Sequence, residues 1–142
     1  MHYFWSELSE KNQMNETIKP FLFFLILLVV IAYGSLGSGD TAEKFQLLRF
    51  EHSDKLMHAF MYFLLTVSLI YGMVKKTGIF NYWKVYLVVV ATPVSYGIVM
   101  EILQFMLTSD RQAEIGDFLA NLIGTGFAFF GAFFYYSFRK AH

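Results

Sequence analysis

Cysteine is absent from the 142-residue chain. Disulfides and thiolate metal sites are therefore excluded, and the redox compartment is left open. Charge is scarce: Asp, Glu, Lys and Arg make up 15% of the residues, against about 25% in soluble domains. The charges cancel to a formal net of zero. With no basic run either, nothing argues for a nucleic-acid partner. Internal repeats, linkers and low-complexity tracts are also lacking.

Apolar residues fill the space that charge leaves. They make up 56% of the chain, with 17 Phe, and the mean hydropathy is +0.47. No charge lies between Lys19 and Asp40, between Lys55 and Lys75, or between Asp117 and Arg139. Glu101 is the one charge between Lys84 and Asp110. Each gap matches the roughly 20 residues that cross a hydrocarbon core of about 30 Å. The pattern predicts an all-α integral membrane protein, a bundle of four transmembrane helices over 20–37, 56–74, 85–107 and 118–138. A polar segment, 1–19, precedes a single domain, 20–142. A membrane barrel would show alternating segments of about ten residues, whereas these runs are apolar on all faces.

The first run does not read as a signal peptide. Its polar lead contains Glu7, Glu10 and Glu16, and the small residues at 34–39 offer no A-x-A cleavage site. Lys and Arg distribution sets the expected orientation. Lys11, Lys19, Lys75, Lys76, Lys84, Arg139 and Lys140 fall on one side, and Lys44, Arg49, Lys55 and Arg111 on the other. Seven against four favours both termini in the cytoplasm. The first outer loop, about 38 to 55, carries Asp40-x-x-Glu43, which has the form of a capping box. Phe45, Leu47, Leu48 and Phe50 follow, so the stretch reads either as a short interfacial helix or as a solvated loop. Tyr82, Trp83, Tyr135 and Tyr136 suit an aromatic belt. Pro93 falls inside the third helix, where it removes a backbone donor and is expected to kink the helix.

The chemistry-bearing residues gather at the expected outer ends of three helices. Asp54, His58 and Tyr62 are four apart and share one face of the second helix. Glu101 and Gln104, three apart, share a face of the third. Glu101 lies about six residues inside that helix, roughly 9 Å deep at 1.5 Å per residue. A carboxylate placed in a span by default marks a bundle interior or a wet cavity. Asp117 and Asn121 open the fourth helix on one face, and Arg111 precedes it. Ala120, Gly124 and Ala128 form a small-xxx-small row that permits close helix approach and equally suits a homo-oligomer. The expectation is one polar cluster of Asp54, Lys55, His58, Glu101, Gln104, Arg111, Asp117 and Asn121, in which Glu101 and Arg111 partner Asp54 and His58.

Three stretches carry a resemblance: "DKLMHAFMY" (54–62), "EILQ" (101–104) and "RQAEIGDFLANLIG" (111–124). In this order, at matching helix ends, they resemble the VanZ-like family. The resemblance runs over about 54–126 and excludes the polar lead and most of the first loop. It implies a small multi-pass fold in a bacterial cytoplasmic membrane and a role at the cell envelope. The family takes its name from a member of a glycopeptide-resistance cluster that raises tolerance to teicoplanin. The resemblance brings no settled reaction.

Three functional readings follow from the cluster. In the first, it binds or processes an amphiphilic envelope ligand, such as a lipid phosphate or a polyprenyl-linked wall precursor. Arg111 and Lys55 then hold an anionic group, with Asp54, Gln104 and Asn121 completing the binding set. His58, Glu101 and Asp117 are the candidate catalytic groups, His58 as acid or base near neutral pH. In the second, Glu101 and His58 relay protons in a small transporter or channel. In the third, the polar groups only join helices, although such contacts average about 0.6 kcal/mol and buried ion pairs are poor stabilisers. No cofactor is implied and no metal is assigned. His58, Glu101 and Asp117 offer nitrogen and oxygen donors, but there is no HExxH and no second nearby His.

Overall fold

The computed structural model describes residues 2–37, 53–77, 83–107 and 114–140, with side chains described from residue 18 onward apart from 76, 77 and 140. These residues form four helices: α1 (His2–Leu36), α2 (Ser53–Thr77), α3 (Trp83–Leu107) and α4 (Ile115–Lys140). Each contains a stretch long and apolar enough to cross a membrane: Ile18–Leu36, Ser53–Lys75, Trp83–Leu107 and Ile115–Arg139. The four predicted spans are therefore four helices, and the architecture is that expected of a multi-pass membrane protein. The interfacial helix considered at 38–55 falls outside the described residues up to position 52, as do Tyr82 and Arg111.

Each helix overruns its predicted span. α2 starts three residues earlier than expected and α4 likewise, because charge marks the edge of the hydrocarbon, not the end of backbone hydrogen bonding. The largest overrun is in α1, which runs unbroken from His2 through Pro20. At 35 residues it is about 50 Å long, well over the roughly 30 Å of a hydrocarbon core. The polar lead thus continues the first span as helix. α3 is likewise continuous through Pro93, whose ring is fully buried.

The chain runs up, down, up, down. α2 is the hub: it packs most extensively on α4, then on α1, and also on α3. Among the described residues α1 and α4 do not meet. The apolar core joins Phe24, Leu27 and Ile31 of α1 to Tyr62, Leu65, Leu69 and Ile70 of α2 and to Val85 and Val89 of α3. Leu25, Val29, Leu87, Ile102, Phe127 and Phe134 point outward. In water such a surface would be a liability; against lipid tails it is the expected exterior.

The α2–α4 contact depends on small residues. A Cβ on Gly124 would stand 2.0 Å from the Ala59 carbonyl oxygen and 3.0 Å from the Phe63 nitrogen. Ala120 and Ala128, one turn to either side, are buried too. This corrects the expectation that the row serves a homo-oligomer. Its central glycine lies on the backbone of α2 and all three residues are enclosed, so the row offers no face to a second copy. At the end away from the polar residues, Tyr86 meets Phe129 and Phe133 edge-on, with ring centroids 5.5 and 6.1 Å apart. Lys75 lies over Tyr71 and Lys84 over Trp83 at the same end, as expected of cations reaching toward an interface.

Candidate functional site

α2 and α4 run parallel, because α3 carries the chain back between them. A residue on α2 therefore meets one about sixty positions later on α4, and the two polar faces read from the spacing of four lie against each other. Lys55 Nζ donates to Glu114 Oε2 at 2.7 Å and lies 3.6 Å from Asp117 Oδ1. One turn deeper, His58 Nδ1 is 3.2 Å from Asn121 Oδ1. An amide oxygen can only accept, so Nδ1 is the donor in this contact. Two turns further in, Thr66 donates to the Tyr62 carbonyl at 2.7 Å and stands 3.4 Å from Thr125 Oγ1.

Helix ends explain why carboxylates occupy the mouth. Glu114 precedes α4, and its carbonyl accepts from the amides of Asp117 and Phe118 at 3.0 and 3.3 Å. Asp117 is thus in the first turn of α4, and Asp54 in the first turn of α2. Both sit where the helix dipole favours negative charge. Their surroundings differ: Asp54 is half-buried, whereas Asp117 is 4% exposed. Asp117 Oδ1 is buried and has no hydrogen-bond donor among the described residues. The mouth itself is open, with the Lys55 and Glu114 side chains 34% and 58% exposed.

α3 closes the inner side. Gly97 lets it approach: a Cβ there would stand 3.3 Å from both Asn121 Nδ2 and the Tyr62 ring. Tyr62 is 1% exposed, and its hydroxyl has no hydrogen-bond partner among the described residues. Glu101, one turn from Gly97, is half-buried and near enough to the Tyr62 hydroxyl to act on it electrostatically. Gln104 turns away: it is 2% exposed and its Nε2 donates to the Ser35 carbonyl of α1 at 3.0 Å.

Of the eight expected residues, the structure brings together Asp54, Lys55, His58, Asp117 and Asn121. Glu101 is half-buried on α3 within electrostatic range of Tyr62, and Gln104 ties α3 to α1. Arg111 lies outside the described residues. The expected partner of His58 is therefore revised: it pairs with Asn121. Lys55 answers Glu114 and Asp117 across the α2–α4 seam, and the expected pairing of Asp54 with Arg111 falls outside the described residues. Sequence reasoning passed over Glu114. Its signal was position, an acid three residues before Asp117 at the very start of an apolar run. It also placed Tyr62 on the right face without giving it a part in the site.

The ligand atoms of Asp54, His58 and Asp117 lie within 4.8 Å of one another. The donor set considered from sequence contained Glu101 in place of Asp54. Among described groups, Asp54, Glu114 and Asp117 outnumber Lys55 at the mouth, which is acidic there. Comparison with known protein families, curated proteins and solved structures returns no match.

Proposed function

We propose that this chain is a VanZ-like multi-pass protein of a bacterial cytoplasmic membrane, whose polar site opens on the extracytoplasmic side and binds an amphiphilic envelope ligand. The observation that carries this reading is the graded burial of the site. Asp117 is enclosed at its base, while Lys55 and Glu114 form an exposed mouth between two spans. A head group can enter at the mouth while its tail lies along the apolar outer faces of the helices. Lys55 exchanges its exposed Glu114 partner for the ligand's anionic group, which a flexible point charge does readily; Arg111, the second cation read from the sequence, lies outside the described residues. His58, fixed by Asn121, is the group suited to moving a proton.

A second reading has its own support. Lys55–Asp117, His58–Asn121 and Gln104–Ser35 each bridge two helices, as structural joints would. The two separate by experiment. Purified protein in detergent is expected to melt several degrees higher with polyprenyl phosphate or phosphatidic acid than with the matching alcohol or diacylglycerol. Lys55→Ala and Arg111→Ala are expected to lose that shift while remaining folded. Equal shifts for charged and neutral amphiphiles, or a shift that both variants retain, would leave only the structural reading.

A further inference from the structure

We infer that Asp54, His58 and Asp117 form a binding site for a divalent transition-metal ion, with Zn²⁺ the best match to the donors. The proposal rests on metal-ligand geometry and is independent of the amphiphile reading.

Asp54 and His58 are four apart on α2, the spacing that lets two side chains on one helix face grip one ion, as in helical zinc motifs. Asp117 supplies the third donor from the parallel helix α4. Ligand atoms of all three lie within 4.8 Å of one another. Donors about a tetrahedral zinc at about 2.0–2.2 Å stand some 3.3–3.6 Å apart. Closing the site therefore takes movements of about 1 Å.

Two further observations point to a cation. The first is the state of Asp117. The residue is 4% exposed, yet Oδ1 is buried with no hydrogen bond among the described residues. Burying such an oxygen is costly unless a partner compensates. Lys55 stands 3.6 Å away and gives its own hydrogen bond to Glu114 at 2.7 Å. It supplies charge to Oδ1 from just beyond ordinary hydrogen-bond distance. The second is the state of His58. Metal-bound imidazoles ordinarily give their other N–H to a fixed acceptor, which sets the tautomer. Asn121 Oδ1 stands 3.2 Å from Nδ1 here, as such an acceptor would for an imidazole ligating through its other nitrogen. Asn121 is itself buried, with Gly97 of α3 against its amide.

One imidazole and two carboxylates suit a borderline ion such as Zn²⁺ better than Mg²⁺ or Ca²⁺, which prefer all-oxygen sites. Three protein ligands leave a fourth position open at the mouth, the arrangement of zinc sites that accept water or an exchangeable oxygen ligand.

The test uses the full chain without a polyhistidine tag, purified in detergent, stripped with a chelator and titrated calorimetrically with Zn²⁺ and with Mg²⁺. One Zn²⁺ per chain is expected, with Mg²⁺ binding far more weakly. His58→Ala and Asp54→Asn are each expected to weaken Zn²⁺ binding at least tenfold. Asp54 is half-buried in a first turn, so Asp54→Asn reports on the site even if His58→Ala does not fold. Zn²⁺ should also raise the melting temperature of the parent chain and not that of Asp54→Asn. No saturable binding, or an affinity that Asp54→Asn leaves unchanged, overturns the proposal.

Discussion

Gly124→Leu is expected to prevent the bundle from assembling, while Gly131→Ala on the same helix leaves it intact. At Gly124 even the first carbon of a side chain would fall 2.0 Å from the Ala59 carbonyl oxygen and 2.9 Å from its carbon. Those atoms are backbone and cannot rotate aside, so α2 and α4 must separate. Overpacking that side chains can absorb costs about 1–3 kcal/mol; a clash with backbone exceeds that range. Separation also breaks the register that sets His58 against Asn121 and Lys55 against Asp117. A Cβ at Gly131 meets nothing within 4 Å, and Ala is the better helix former by up to about 1 kcal/mol. Size-exclusion profiles and melting temperatures in detergent read both variants. A monodisperse Gly124→Leu protein melting with the parent would mean that the close α2–α4 approach is wrong.

Lys55→Met is expected to destabilise the chain by about 2 kcal/mol, and adding Asp117→Asn is expected to restore most of that loss. Removing one partner of a buried pair leaves the other charge uncompensated, at about 3–5 kcal/mol when both are fully enclosed. Here Asp117 is enclosed but the Lys55 side chain is 34% exposed, so solvent screens part of the interaction and the cost falls below that range. Met keeps the length and apolar stem of Lys, which isolates the charge. Asn at 117 removes the orphaned carboxylate while keeping its shape. A double-mutant cycle should therefore show a coupling of about 1 kcal/mol or more, since contacting residues are not additive. Additive effects would place Lys55 in solvent with no hold on Asp117.

The four helices were legible because a bilayer imposes long charge-free runs, and those runs survive in any register. Their ends were less so. The Glu114 carbonyl, a backbone group, starts α4, and nothing in hydropathy marks it. The faces were legible too: four-residue spacing put Asp54, His58 and Tyr62 together, and Asp117 with Asn121. What spacing did not carry was which face meets which. Parallel alignment of α2 with α4 follows from the course of α3 and the close seat of Gly124, both non-local. Glu101 and Gln104 show the same limit. Three positions apart, they lie about 60° apart around the helix, enough for Gln104 to turn to α1 without carrying Glu101 with it. Pairing His58 with Glu101 or Arg111 rested on shared level alone, and level does not fix direction; it meets Asn121 instead. The nearer acid, Glu114, was missed because it stands at the cap, outside the run that drew attention.

The functional account depends on the polar mouth facing the outside of the cell. The absence of cysteine allows a direct measurement, since single-cysteine variants have no background. Glu114→Cys, at the exposed mouth, and Arg139→Cys, at the opposite end of the same helix, are treated in intact cells with a membrane-impermeant thiol reagent. The account predicts that Glu114→Cys is labelled in intact cells and that Arg139→Cys is labelled only after the membrane is opened. The reverse pattern would put the mouth in the cytoplasm and contradict an envelope ligand.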